Sequence, residues 1–148
     1  MGSTYSALYY HFVWGTKERR RLISSPWEPR LHAWLGGAVR HFEGVADAIN
    51  GTEDHIHLLL SLRPKHAPAQ LVRDIKGGSS EWIHREMGVA EFGWQEGYFV
   101  ATVSPRQLEG VRRYIWNQKQ HHRHITWEEE LKGLMARAGI VYDPKYLL

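Results

Sequence analysis

The stretch from Thr52 to Leu62, TEDHIHLLLSL, limits what this chain can fold into more than any other part of it. Side chains on a strand alternate between its two faces with a period of two. As a strand, the run sends Ile56, Leu58, Leu60 and Leu62 to one face and His55 and His57 to the other. The leucine face demands a covering layer. The opposite face sets two imidazoles side by side, an arrangement that asks for a purpose.

The neighbouring elements follow from local signals. Tyr5 to Thr16 is rich in aromatic residues and reads as a strand, followed by the basic loop Lys17 to Arg21. In SPWE, Ser25 reads as an N-cap, Pro26 as the first helical residue and Glu28 as the end of a capping box. That helix runs to about Phe42, weakened by Gly36 and Gly37. Val45 to Asn50 reads as a short strand, and Asn50-Gly51 as the hairpin turn into the His55–Leu62 strand. A second helix is predicted over Ala69 to Met87, and another strand over Gly97 to Val103. Ser104, Pro105 and Gln107 repeat the helix-start signal for a helix to about His122, and Thr126 opens one that stops at Gly139.

The order β-α-β-β-α-β followed by helices predicts an α+β, ferredoxin-like (RRM-like) antiparallel sheet. Two helices pack on it, and a tyrosine-bearing helix and a tail helix come after. The 148 residues fit a single domain over 1–148, and 43% hydrophobic residues against 24% charged ones support a folded core. No cysteine is present, which excludes disulfides, thiolate metal sites and thiol catalysis. No apolar run approaches the roughly 20 residues of a membrane span, and the N-terminus lacks a signal pattern, so a cytoplasmic protein without membrane contact is expected. A net charge of +3 permits a nucleic-acid partner without demanding one. Seven tryptophans and seven tyrosines would suit base stacking, although most such residues serve cores.

Divalent transition metals favour imidazole, and two ligands at i and i+2 on a strand can converge on one ion. Half-exposed surface histidines would show the same spacing. In the helix after Pro105, Tyr114 and Gln118 are four apart and share a face, at the edge of the stripe formed by Leu108, Val111 and Ile115. A tyrosine there also fits a core. Residues Lys119 to Ile125 form a polar, hinge-like stretch, and His121, His122 and His124 read as solvated or DNA-facing rather than as a second metal site.

HIHLLLSL, GYFV, YIWNQKQHH and AGIVYDPKYLL, with YHFVWGTKERR and DIKGGSS, resemble the single-tyrosine HUH transposases of the insertion sequence 200/605 family. The resemblance covers nearly the whole chain. It implies a DNA transposase that cuts and rejoins single-stranded DNA at element ends through a 5′-phosphotyrosine. By that resemblance Tyr114 is the nucleophile, and His55, His57 and Gln118 hold a divalent ion, Mg²⁺ or Mn²⁺. It further implies recognition of end hairpins, and a homodimer with composite active sites in which one chain's tyrosine completes the other chain's metal site. Asp54 and Glu53 could serve as outer carboxylates. Phosphate contacts are expected from Lys17, Arg19, Arg20, Arg21, Arg73, Lys76, Arg112 and Arg113. Gly77 and Gly78 inside a helix suggest close approach of DNA or of a partner backbone. The other readings are a domesticated repeat-associated tyrosine transposase, a non-catalytic ferredoxin-like single-strand binder, and a metallohydrolase that forms no covalent adduct.

Overall fold

A computed structural model describes residues 2–147. Its centre is the pairing of strand β1 (Leu8–Gly15) with β3 (His55–Leu62). Strands β2 (Val45–Gly51) and β4 (Phe99–Val103) flank them in a four-stranded sheet of order β2-β3-β1-β4, every pair antiparallel. The expected ferredoxin-like order is therefore met, with β1 and β3 central. Both carry long apolar runs because each is covered on two faces.

On one face lie Phe12, Trp14, Ile56, Leu58, Leu60 and Leu62. They pack against helix α1 (Glu28–His41), through Leu31, Leu35 and Val39, and helix α2 (Pro68–Trp82), through Leu71, Val72 and Ile75. The other face carries His11, Val13, His55, His57 and Leu59, all buried. It is covered by α3 (Leu108–Trp116), the single turn α4 (Gln118–His121) and α5 (Trp127–Ala138). The period of two in β3 thus separates a purely apolar interior from a chemical one.

Several local signals resolve differently from expectation. The first helix begins at Glu28; Ser25 lies in a turn closed by Ser24, whose carbonyl accepts from the Trp27 and Glu28 amides. Asn50 and Gly51 continue β2, opposite His57 and Ile56, and the turn comes at Thr52–Asp54. Asn50 is held there because its side-chain amide donates to the Ile115 and Trp116 carbonyls at 2.9 and 3.2 Å, capping the end of α3. The tyrosine helix does not run through to His122 but breaks at Asn117. At the other end of the chain, Thr126 caps α5 by accepting from the Glu129 amide at 3.1 Å, and Gly139 ends it at a φ of 69°.

Gly78 is explained by the chain itself, not by DNA or a partner. A Cβ there would stand 2.7 Å from the Trp34 ring of α1, which stacks on Trp82. A Cβ on Gly77 would meet nothing within 4 Å. Gly78→Ala should therefore lower stability by about 1–3 kcal/mol through overpacking. Gly77→Ala should raise it by up to about 1 kcal/mol through helix propensity. Urea unfolding of the two variants beside the parent chain checks the opposite signs.

Lys76 also departs from expectation. Its ammonium is turned inward, donating to the Gln95 carbonyl at 2.9 Å and to that of Gly97, beside the Trp14 and Tyr98 rings. Burial, partly offset by Glu96, lowers it from 10.5 to about 8. The unfolded chain therefore keeps this proton to higher pH than the folded one. Below pH 8 both states hold it and the cost of burying the charge is fully present; the cost is relieved as pH rises from 8 towards 10.5. Denaturant midpoints across that window should rise less in Lys76→Met than in the parent.

Candidate active site

Antiparallel register assembles the site. His57 lies opposite Val13 and His11 opposite Leu59, so His11 is the diagonal neighbour of His57 on the same face. His11 Nε2 stands 2.8 Å from His57 Nδ1. On the other flank, His55 Nδ1 lies 2.8 Å from an Asp54 carboxylate oxygen and 2.9 Å from the Thr52 hydroxyl, which itself donates to Asp54 at 2.9 Å. Both imidazoles are thus oriented through Nδ1, and both Nε2 atoms face away from the sheet, towards α4 and α5. Of the two carboxylates before His55, Asp54 is the one whose oxygen lies against His55 Nδ1.

Helices α3 and α4 bring in the next groups. Ile115 of α3 is buried against Ala48, Leu59 and Val103, with Leu108, Val111 and Tyr114 at its margin. This fixes Tyr114 with its ring edge-on to His57, 5.7 Å between centroids, and to His11, 6.2 Å. Gln118, one turn on, is fully buried and puts Oε1 3.1 Å from His55 Nε2. Tyr114, His55, His57 and Gln118 therefore come together as expected, and they do so within one chain. Within this one chain Tyr114 stands over its own histidines.

The centre of the site is a residue the sequence reading passed over. Glu130 has a fully buried side chain. Its Oε1 lies 3.1 Å from His55 Nε2, 3.1 Å from His57 Nε2 and 2.8 Å from His122 Nε2. Its Oε2 accepts from Gln118 Nε2 at 2.8 Å and from the Tyr114 hydroxyl. Trp127, on the preceding turn of α5, lies flat on His55, 4.4 Å between centroids and 8° between planes. Gly15 makes room for it, since a Cβ there would sit 2.9 Å from Trp127 Nε1. His122 is turned inward rather than solvated, with Nδ1 2.9 Å from the Ile125 carbonyl. A signal for Glu130 was present: it shares the apolar stripe of Trp127, Leu131 and Leu134, where a carboxylate is out of place.

Electrostatics follow from the shared carboxylate. Burial alone would push the Glu130 carboxyl up, but bonds from His122, His55 and His57 hold it far below the usual carboxylate range. Burial opposes charge on His55, yet Asp54 and Glu130 outweigh it and raise the imidazole to about 9. Burial dominates at His57, lowered to about 4, and at His11, lowered to about 3 with help from His57. Burial, then the Glu130 charge, pushes the Tyr114 phenol well above its ordinary 10.0. Without an ion the cluster balances one carboxylate against a charged His55 and keeps the nucleophile candidate neutral. The donor set suits a divalent cation: imidazole nitrogens, an amide oxygen and a carboxylate, with donors of His55, His122 and Glu130 within 4.8 Å of one another.

Of the basic residues singled out, Arg19 and Arg21 line a cleft of about 360 Å³ that runs past Asp54 and His122 to Trp127. Arg19 also pairs with Glu128 at 2.9 Å. Lys17 and Arg20 are exposed on the same loop. Arg112 is held by Asp47 at 2.7 Å and Arg113 by Glu109 at 3.4 Å, both on the α3 side of the sheet. Arg73 and Lys76 belong to α2, in the layer behind the sheet, so the structure does not bring them to the histidines.

The Transposase IS200 like family model matches residues 4–118. The ISDra2 transposase TnpA of Deinococcus radiodurans is 28% identical over 117 residues, 75% of this chain and 84% of that protein. A transposase for insertion sequence element IS200 of Salmonella typhimurium is 28% identical over 123 residues, 74% of this chain and 75% of that protein. A Deinococcus radiodurans R1 crystal structure described as that of a transposase superposes with a TM-score of 0.62 at 26% identity, covering 80% of this chain and 96% of the other. The structure of a REP-associated tyrosine transposase bound to a REP hairpin superposes with a TM-score of 0.63 at 14% identity, covering 84% of this chain and 76% of the other, a likeness of fold. The family match takes in the whole sheet, both strand histidines, Tyr114 and Gln118, and on that span the chain belongs to the IS200-like transposases.

Proposed function

We propose that this transposase cuts and rejoins single-stranded DNA through a 5′-phosphotyrosine on Tyr114, with a divalent ion, Mg²⁺ or Mn²⁺, held by His55, His57 and Gln118. The observation that carries this reading is the convergence of the Tyr114 hydroxyl, both Nε2 atoms and the Gln118 amide on one buried point. A single-strand binder needs bases stacked on an open sheet. Here the sheet face that would receive them is buried under α3 and α5.

In the cut, Tyr114 Oη attacks phosphorus, the Oη–P bond forms, and the P–O3′ bond breaks to leave a free 3′ hydroxyl. The phosphotyrosine retains the energy of the broken ester, so attack by another 3′ hydroxyl reverses the step without ATP. Free tyrosine is a poor nucleophile at neutral pH. The hydrogen bond from Tyr114 to Glu130 holds Oη in place, and the proton the phenol gives up is balanced by the one the leaving 3′ oxygen takes. Asp54 and Thr52 fix the ring of His55, and His11 fixes that of His57. A bound divalent ion supplies a Lewis acid that polarises the scissile phosphate and stabilises the developing charge. Substrate hairpins would enter along the Arg19–Arg21 cleft, where phosphate contacts give affinity more than sequence readout. Among the described residues no helix is long and apolar enough to cross a membrane, and we place the reaction in the cytoplasm.

Hairpin single-stranded DNA with Mn²⁺ should yield a covalent protein–DNA adduct, seen as a shifted band on a denaturing gel. Tyr114→Phe should abolish the adduct and leave hairpin binding within a few-fold. His57→Ala should likewise lose cleavage while remaining folded. A Tyr114→Phe protein that still forms the adduct would falsify the assignment.

We keep a homodimer as the assembly to test, with each site complete in one chain, because Tyr114 and His57 both reach Glu130 of their own chain. Mixing the His57→Ala and Tyr114→Phe proteins should then give no cleavage, since each chain carries one broken site. Native mass spectrometry must show exchanged heterodimers in the same sample. Cleavage recovered in those heterodimers would instead assign the tyrosine to the partner subunit, as the family resemblance implies.

A further inference from the structure

The family match ends at Gln118, yet the carboxylate at the centre of the site comes from α5, twelve residues further along. We propose that Glu130 is a protein ligand of the divalent ion, added to His55, His57 and Gln118 by the segment that follows the matched region. The proposal rests on the functional reading above and extends its ligand set.

Geometry carries it. Three imidazole Nε2 atoms, from His55, His57 and His122, lie 2.8–3.1 Å from the single oxygen Oε1. Adjacent ligands of an octahedral ion with bonds of about 2.1 Å are separated by about 3 Å. The spacing of Oε1 from each nitrogen is therefore that of neighbouring ligands, and the donor atoms of His55, His122 and Glu130 also lie within 4.8 Å of one another. Gln118 closes the same ring, with Oε1 3.1 Å from His55 Nε2 and Nε2 2.8 Å from Glu130 Oε2.

Burial argues the same way. A carboxylate with no exposed side-chain surface needs a compensating cation. Among the described residues its partners are histidines, a glutamine and a tyrosine, so an imidazolium balances it until an ion takes over that charge. Imidazoles and an amide are metal ligands, and an oxygen set among them is what Mn²⁺ or Mg²⁺ selects. The element that carries Glu130 is rigidly seated. Trp127 lies against His55, and Leu131, Leu134 and Met135 pack on Val13 and Phe99. The carboxylate is thus delivered by a packed helix, as a ligand must be.

The consequence for the site is one of charge. Two neutral imidazoles and an amide leave a dication fully charged towards DNA. An added carboxylate brings the centre to a net single positive charge, matched to one phosphodiester.

The test uses the full chain without DNA, with Mn²⁺ as the probe, and reads free Mn²⁺ by electron paramagnetic resonance during titration. Wild-type protein should bind one ion, His57→Ala should abolish binding, and Glu130→Gln, which preserves shape and hydrogen bonding to Gln118, should weaken it at least tenfold. Wild-type affinity in Glu130→Gln, with binding lost in His57→Ala, would overturn the Glu130 assignment and leave the histidine site intact. No binding to wild type would overturn both. Because Glu130→Gln can also disturb folding, wild-type crystals soaked in Mn²⁺ give a second measurement. An anomalous peak at about 2.2 Å from a Glu130 oxygen supports the proposal. A peak on His55 and His57 with Glu130 turned away from it overturns the proposal.

Discussion

The structure turns on a single buried carboxylate. Glu130 is the point where strand β3, helices α3 and α4, the turn that follows them, and helix α5 all meet through hydrogen bonds. Removing it would strand His55, raised to about 9, without its inner counter-charge. Removing the imidazoles would strand a carboxylate away from water, which costs several kcal/mol. The cluster therefore behaves as a unit, and its members cannot be assigned independent energies. It also explains why α5 adheres to the sheet beyond what Leu131 and Leu134 contribute by apolar contact.

Much of this was legible because strand and helix periods are rigid. Alternation in β3 separated His55 and His57 from Ile56, Leu58, Leu60 and Leu62, and the structure keeps that division. The four-residue spacing of Tyr114 and Gln118 put both on one face, even though the helix breaks at Asn117 between them. His11 escaped notice although the same counting finds it. Phe12 and Trp14 claim the leucine side of β1, which leaves His11 on the histidine side, and antiparallel pairing with β3 does the rest. His122 and Glu130 were harder. Their positions depend on how a turn after α4 folds back, and local sequence does not encode a long-range return.

The signals that misled were local and correct in kind, but outcompeted. Asn50-Gly51 has strong turn chemistry, yet Asn50 earns more as the cap of α3, where its amide satisfies two helix-terminal carbonyls. Lys119 reinforces that choice, bonding Asn50 Oδ1 at 3.1 Å, the Gly51 carbonyl at 3.2 Å and the Glu28 carboxylate at 2.7 Å. Ser25 looked like a cap, but the chain is pinned just before it, where Ile23 donates to the Glu53 carbonyl at 2.9 Å. Tertiary bonds decided both cases. The basic residues follow the same logic, since Arg112 and Lys76 are held by partners away from the histidines, whereas Arg19 and Arg21 line the cleft beside Asp54 and His122.

The pair formed by His11 and His57 would serve the site with or without the proposed ion. With Glu130 accepting from His57 Nε2, the Nδ1 of His57 must accept, and His11 Nε2 donates to it across 2.8 Å. Were the proposed ion to take the lone pair of His57 Nε2, the ring would carry its proton on Nδ1 instead. The same 2.8 Å contact would then run in reverse, with His11 Nε2 accepting. Each ring changes tautomer, neither changes charge, and no backbone has to move. A carboxylate in the place of His11 would bias His57 permanently towards metal binding but would add a second buried negative charge beside Glu130. A neutral imidazole, lowered to about 3 by burial, avoids that charge and still orients its neighbour in both states. A histidine at the position diagonal to His57 therefore suits the proposed metal site in both states, filled and empty.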